Sequence, residues 1–90
     1  MSTTAIAAVV LCKRNTVRGE VVCVVSSQRP WVRTDAEIRD ETGTLMLRFF
    51  GRASVPGLVS GRWIVAQGTP GVADGMIVMI NPLYSFISEE

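Results

Sequence analysis

The 90-residue sequence contains no histidine and only two cysteines. Without histidine, Ser-His-Asp and Cys-His nucleophile systems, imidazole zinc ligands and the ordinary general base near neutral pH are all excluded. Cys12 and Cys23 alone cannot complete a four-ligand structural zinc site. Both lie in apolar runs, which favours buried free thiols over a disulfide. We therefore expect no catalytic residues, no metal and no cofactor.

Long apolar runs and an excess of one charge are also lacking. The longest run, Ala5 to Cys12, is far shorter than the roughly 18–20 residues of a membrane-spanning helix. No basic residue precedes it, so a cleaved signal peptide fits poorly and the cytoplasm is the expected location. Nine basic and eight acidic residues give a net charge of +1. A nucleic-acid or membrane partner therefore finds no support in the overall charge, and any such interface depends on local placement.

What the chain does contain is typical of one small all-β domain. A hydrophobic content of 48% with 19% charged residues indicates a folded chain. Thirteen valines and six isoleucines occur in short runs, and glycines or prolines separate these runs at intervals of about 8–12 residues, as in small β proteins. Five strands are predicted, at 17–27, 32–40, 44–51, 62–68 and 76–80, with a possible extra edge strand at 84–87.

The connections complete this prediction of a small closed barrel. Residues 52–61 are too short and too rich in proline and glycine for a full helix, so we expect one turn that plugs the barrel with Val55 and Leu58. Residues 68–75 are predicted to form the loop of the last hairpin. Residues 1–16 form an N-terminal extension, which is a short helix, an extra strand or partly disordered, and residues 17–90 form the barrel domain.

The hairpin between the second and third strands identifies the core face. Side chains alternate along a strand, so Ala36 and Ile38 share one face, and Leu45, Leu47 and Phe49 share another. A two-residue turn brings these apolar sets together, pairing Ile38 with Leu47 and Ala36 with Phe49. The same register places Glu37 opposite Arg48 and Asp35 opposite Phe50 on the outward face.

Several motifs resemble those of a known family. They are Leu45-Met-Leu-Arg-Phe-Phe50, the glycines Gly61, Gly68 and Gly75, and Asn81-Pro-Leu-Tyr84. Over residues 17–84 the chain resembles the OB-fold wedge domain of RecG-type DNA helicases and the related tRNA-anticodon-like OB modules. The resemblance implies a five-stranded Greek-key barrel, with a short turn in place of the usual helix, that commonly binds oligonucleotides. The helicase motor is absent, so translocation and ATP hydrolysis are not implied.

The resemblance also implies a binding surface across the second and third strands and the adjoining loops. Arginines there would follow phosphates, and aromatic rings would stack on bases. The candidate residues are Arg29, Trp31, Arg33, Arg39, Arg48, Phe50 and Arg52. Two alternatives stay open: Asp35 and Glu37 neutralise some of these arginines through cross-strand pairs, and Trp31 folds back over the barrel mouth.

The function that follows is a non-enzymatic module that binds single-stranded or branched nucleic acid, either DNA or RNA. The alternative is a protein-interaction or scaffold module, possibly homodimeric, favoured by the near-neutral charge and the apolar N-terminal stretch. A continuous stripe of Arg29, Arg33, Arg48 and Arg52 would favour the first function. Pairing of these arginines with Asp35 and Glu37 would favour the second.

Overall fold

The structure is a computed structural model that describes residues 2–88. Residue 1 of the predicted extension and residues 89–90 of the predicted domain lie outside the described residues. Within the described range, the secondary structure is seven strands and one three-residue 3-10 helix, so the predicted all-β class is confirmed. The elements are the helix Ile6–Ala8, β1 Asn15–Ser27, β2 Arg33–Asp40, β3 Gly43–Phe50, β4 Trp63–Gly68, β5 Pro70–Ala73, β6 Met76–Ile80 and β7 Leu83–Ile87.

All seven strands belong to one sheet in the order β5-β6-β3-β2-β1-β4-β7. The β3–β6 pair is parallel and the other pairs are antiparallel. This order places β5 and β7 at its two ends, and no pairing joins those two strands to each other among residues 2–88. The five predicted strands begin and end within two residues of β1, β2, β3, β4 and β6, and the possible extra strand corresponds to β7.

The prediction that residues 68–75 form only a loop is wrong. Pro70–Ala73 is β5, which pairs with β6, and only Asp74 and Gly75 form the turn. Both turn residues have positive φ, 53° and 77°, which suits a tight hairpin. The proline does not prevent pairing because it begins the strand, where a missing N–H group is tolerated.

The core face of the β2–β3 hairpin is as predicted, because Ala36, Ile38, Leu45, Leu47 and Phe49 are all buried. The predicted register is wrong by two residues. Ile38 lies opposite Leu45 and Ala36 opposite Leu47, with Asp40 paired to Gly43. The cause lies in the turn, where Asp40 Oδ1 accepts hydrogen bonds from the N–H groups of Thr42 at 2.7 Å and Gly43 at 3.1 Å. These bonds close the turn directly after Asp40.

The two cysteines are exposed, so the prediction of buried thiols is wrong, and both are free. In β1, Val21 pairs with Ile38 but Cys23 pairs with Glu37, which makes Val22 the extra residue of a β-bulge. The bulge reverses the alternation of faces and turns Cys23 outward. Cys12 lies in a turn before β1 with φ of 66°.

Two segments outside the strands complete the core. Val55 and Leu58 are buried, and the Leu58 N–H donates to the Val55 carbonyl at 3.1 Å, so the predicted turn that buries these two side chains is present. At the N-terminus Ile6 is buried, and its N–H donates to Asp40 Oδ2 at 2.9 Å. The N-terminal segment is therefore held against the β2–β3 turn.

Candidate functional site

The outward face of β2 and β3 carries most of the candidate residues. The register places Arg33 opposite Phe50 and Asp35 opposite Arg48 on this face. Arg39 lies at the far end of β2, opposite Thr44. It is about 20 Å from Arg33 at the usual rise of a strand, and its Nη2 lies 3.7 Å from Glu20 Oε1. Arg39 is therefore not part of the same cluster.

Asp35 stands between two of the candidate arginines. The Nε group of Arg48 donates to Asp35 Oδ1 at 2.9 Å, and its Nη2 donates to Oδ2 at 3.3 Å. Arg33 Nε lies 3.4 Å from Asp35 Oδ2. All three side chains are largely buried. This bidentate geometry is the strong form of an arginine–carboxylate pair.

The same contact fixes the charge of Arg48. Its hydrogen bond to Asp35 raises the pKa of the guanidinium above its ordinary value. Burial opposes this rise, while the charges of Asp35 and Asp74 add to it. Arg48 is thus a permanent cation held by a carboxylate, and the centre of the sheet face has little free positive charge. The register error in the sequence prediction had assigned Glu37 as the partner of Arg48.

An apolar groove lies at the end of the sheet where β2 begins and β3 ends. Trp31, Val32, Phe50 and Gly51 line it, and its volume is about 440 Å³. We call it the Trp31–Phe50 groove. The Trp31 side chain is 65% exposed, whereas Phe50 is half-buried. Trp31 is therefore not covered by the rest of the described chain.

Backbone hydrogen bonds hold both sides of this groove. The Gly51 N–H donates to the Val32 carbonyl at 2.7 Å, which joins the two chain segments that line the groove. The Phe50 N–H donates to Asn81 Oδ1 at 2.9 Å. Sequence reasoning missed Val32, Gly51 and Asn81. In the sequence Asn81 was noted only as part of the Asn81-Pro-Leu-Tyr84 motif, and its contact with Phe50 depends on the tertiary fold.

The remaining two candidate arginines lie next to the groove in the chain. Arg29 precedes Trp31 by two residues, and its N–H donates to Ser27 Oγ at 3.3 Å. Arg52 follows Gly51, and its carbonyl accepts the Thr34 hydroxyl at 2.7 Å. Both residues are exposed, and neither guanidinium forms a salt bridge within the described part of the chain. Unpaired positive charge therefore accompanies the apolar groove, not the centre of the sheet.

A second aromatic residue lies on the outward face of β4. Ile64 and Ala66 are buried, so the alternation turns Trp63 outward, where the guanidinium of Arg18 lies 4.5 Å from its ring centre. This cation–π contact occupies one face of the ring. Trp63 is half-buried and therefore a weaker candidate for stacking than Trp31.

Residues 2–88 contain no group of three or more histidine, cysteine, aspartate and glutamate side chains arranged to hold a metal ion. No helix in this range is long and apolar enough to cross a membrane. Comparison with known protein families and with curated proteins gave no match.

Proposed function

We propose that this chain is a non-enzymatic OB-fold module that binds single-stranded nucleic acid at the Trp31–Phe50 groove. The observation that carries the proposal is the combination of an exposed tryptophan, a neighbouring half-buried phenylalanine and two arginines without salt-bridge partners among residues 2–88. Aromatic faces bind bases of any sequence, and arginines follow the phosphate backbone.

The strand pairing supports the OB-fold part of the proposal. Only Thr69 separates β4 from β5, and only Asn81 and Pro82 separate β6 from β7. Because β5 pairs with β6 and β4 pairs with β7, these four strands follow one another as two halves of a single bent hairpin. Counting each half as one strand gives five strands. These five strands are then neighbours in the pairs β1–β2, β2–β3, β3–β6 and β1–β4, an order that supports the partly open five-stranded arrangement of an OB-fold.

Stacking supplies most of the binding energy in this proposal. A base stacked on an aromatic side chain contributes about 1–3 kcal/mol. Phosphate contacts contribute less, because Asp35 already holds Arg33 and Arg48, which leaves Arg29 and Arg52 for the backbone. In a plot of the logarithm of the binding constant against the logarithm of salt concentration, each phosphate contact to a single strand contributes a slope of about −0.7. Two contacts therefore predict a slope of about −1.4.

The test is fluorescence anisotropy with labelled single-stranded DNA, single-stranded RNA and branched DNA at several salt concentrations. Trp31→Ala is expected to weaken binding by about tenfold, the loss of one stacked base. Val59→Ala is the matched control, because Val59 is also an exposed apolar residue but does not line the groove. Equal affinities of Trp31→Ala and the wild type would refute the groove as the binding site.

A protein-interaction or scaffold module is the second candidate. The pairing of Arg33 and Arg48 with Asp35 favours it, because the stripe of free arginines is interrupted at the centre of the sheet. A folded wild-type protein that binds none of the three nucleic acids at low salt would support this candidate over the first.

A further inference from the structure

Strand β7 presents an edge suited to pairing with another strand. It lies at one end of the sheet order and pairs with β4 alone among the described strands. Its sequence, Leu-Tyr-Ser-Phe-Ile, contains neither a charged residue nor a proline. The side chain of Leu83 is 71% exposed and Ser85 is also exposed. Charges and prolines are the usual means by which an edge strand avoids pairing, and β7 has neither.

Strand β5, at the opposite end of the sheet, is protected from pairing with another chain. Strand β5 has four residues and begins with Pro70, which has no N–H group to donate. The Pro70 carbonyl already accepts the Cys12 N–H at 3.0 Å, so the N-terminal segment covers this part of the edge. The protection of β5 leaves β7 as the edge available for pairing.

We infer that two copies of this chain associate by antiparallel pairing of β7 with β7. The partner strand is β7 of a second copy, because the order of side-chain types in β7 is the same from either end. The order is aliphatic, aromatic, serine, aromatic, aliphatic. A two-fold axis at Ser85 sets Leu83 of one copy opposite Ile87 of the other, and Tyr84 opposite Phe86. Such self-complementarity is what a two-fold interface requires. The net charge of +1 provides little repulsion between copies.

The packing of β7 fixes which side chains meet at this seam. Tyr84 and Phe86 turn inward, with ring centres 5.4 Å from Phe49 to Tyr84 and 5.7 Å from Tyr84 to Phe86. These contacts hold the strand in place before it pairs. Leu83 and Ile87 lie on the other face, so the dimer brings the exposed Leu83 against an aliphatic side chain twice.

Sedimentation velocity over a concentration series tests this inference without nucleic acid, so its result is separate from that for the groove. The wild type is expected to dimerise. Ser85→Lys and Ser85→Glu should each raise the dimer dissociation constant at least tenfold, because each sets two like charges together at the axis. An equimolar mixture of the two variants should restore the dimer, since the charges are then opposite. Val72→Lys is the control, because Val72 is also exposed but lies on β5.

Circular dichroism and thermal melting establish that each variant is folded. Leu83→Lys replaces either Ser85 variant that does not fold, because Leu83 is an exposed residue on the same face of β7 as Ser85. Three results would each overturn the inference. The wild type could be monomeric at about 100 µM, the dimer could persist with a lysine in β7, or the dimer could be lost with Val72→Lys. A mixture of the two Ser85 variants that stays monomeric would overturn the axis at Ser85.

Discussion

Replacing Gly19 with alanine tests a close approach of two backbones in the sheet. Gly19 is a buried residue of β1, opposite Ile64 of β4. A Cβ atom at this position would lie 2.9 Å from the carbonyl oxygen of Arg39 and 3.3 Å from that residue's C and N atoms. Ordinary van der Waals contact begins at 3.4 Å, so the oxygen is about 0.5 Å too close. The atoms in contact are backbone atoms of β2, so relief requires β1 and β2 to separate.

Overpacking of this kind costs about 1–3 kcal/mol, and we expect Gly19→Ala to lie in the upper half of that range because no side chain can move aside. For a domain of this size, each kcal/mol lowers the melting temperature by about 4–8 °C, so the expected loss is about 10–20 °C. Urea unfolding followed by tryptophan emission provides the free energy of unfolding independently.

Gly71→Ala is the matched control for this experiment. Gly71 is a strand glycine with no atom within 4 Å of an added Cβ and with no positive φ. Alanine there is expected to leave the free energy of unfolding unchanged or to raise it by about 0.4–1 kcal/mol, through the lower entropy of the unfolded chain. If Gly19→Ala loses no more stability than Gly71→Ala, the close approach of the two backbones is wrong.

Two further predictions concern single carboxylates. Burial raises the pKa of Asp40, but hydrogen bonds from the Thr42 hydroxyl and from the N–H groups of Ile6, Thr42 and Gly43 together lower it below 3.8. Its contribution to stability is therefore present above about pH 4 and is lost as the pH falls through the lowered pKa. Between pH 5 and pH 2, the melting temperature of Asp40→Asn should therefore fall less than that of the wild type. Asp35→Asn should lower the melting temperature and strengthen binding of single-stranded nucleic acid in the anisotropy assay, because it frees two arginines; unchanged or weaker binding would contradict the proposed role of this pair.

The strands and their buried faces were predictable because alternation is a local signal. In β2 and β3 every apolar position expected inside is buried. The register was not predictable from the same signal. A shift of two residues preserves both faces, so alternation cannot distinguish Ile38 opposite Leu45 from Ile38 opposite Leu47. The choice depends on the side chain of Asp40, which closes the turn one residue earlier than expected.

The other errors have tertiary causes. Strand β5 was missed because Pro70 and Gly71 are turn-forming residues, and only pairing with β6 makes the segment a strand. Cys23 was expected inside because its neighbours are apolar, yet the extra residue Val22 changes its face. A bulge depends on how β1 bends between its two neighbours, and the sequence of β1 alone contains no signal for it.

For the candidate surface, the sequence predicted which side chains face outward but not how they pair. Alternation correctly turned Phe50 away from the core, whereas the sequence left open whether Trp31 is exposed or folded back, and the structure exposes it. The pairing of Arg48 with Asp35 required the correct register, and the register expected from the sequence assigned Glu37 as the partner instead. Within residues 2–88, the sheet centre has two arginines paired with Asp35, and the apolar end has two arginines without salt bridges; this division is therefore a result of the fold.

The groove and the β7 edge lie close enough in the chain to act together. Asn81, which accepts the Phe50 N–H, precedes the first residue of β7 by only two positions. A two-fold axis at Ser85 would therefore set one groove on either side of the seam. In the proposed mode of binding, each copy would contact phosphates with the two candidate arginines that form no salt bridge among residues 2–88, and so few contacts would limit the affinity of one groove. A strand long enough to reach both grooves would bind the second at high effective concentration, so dimerisation would compensate for the small number of phosphate contacts in each copy.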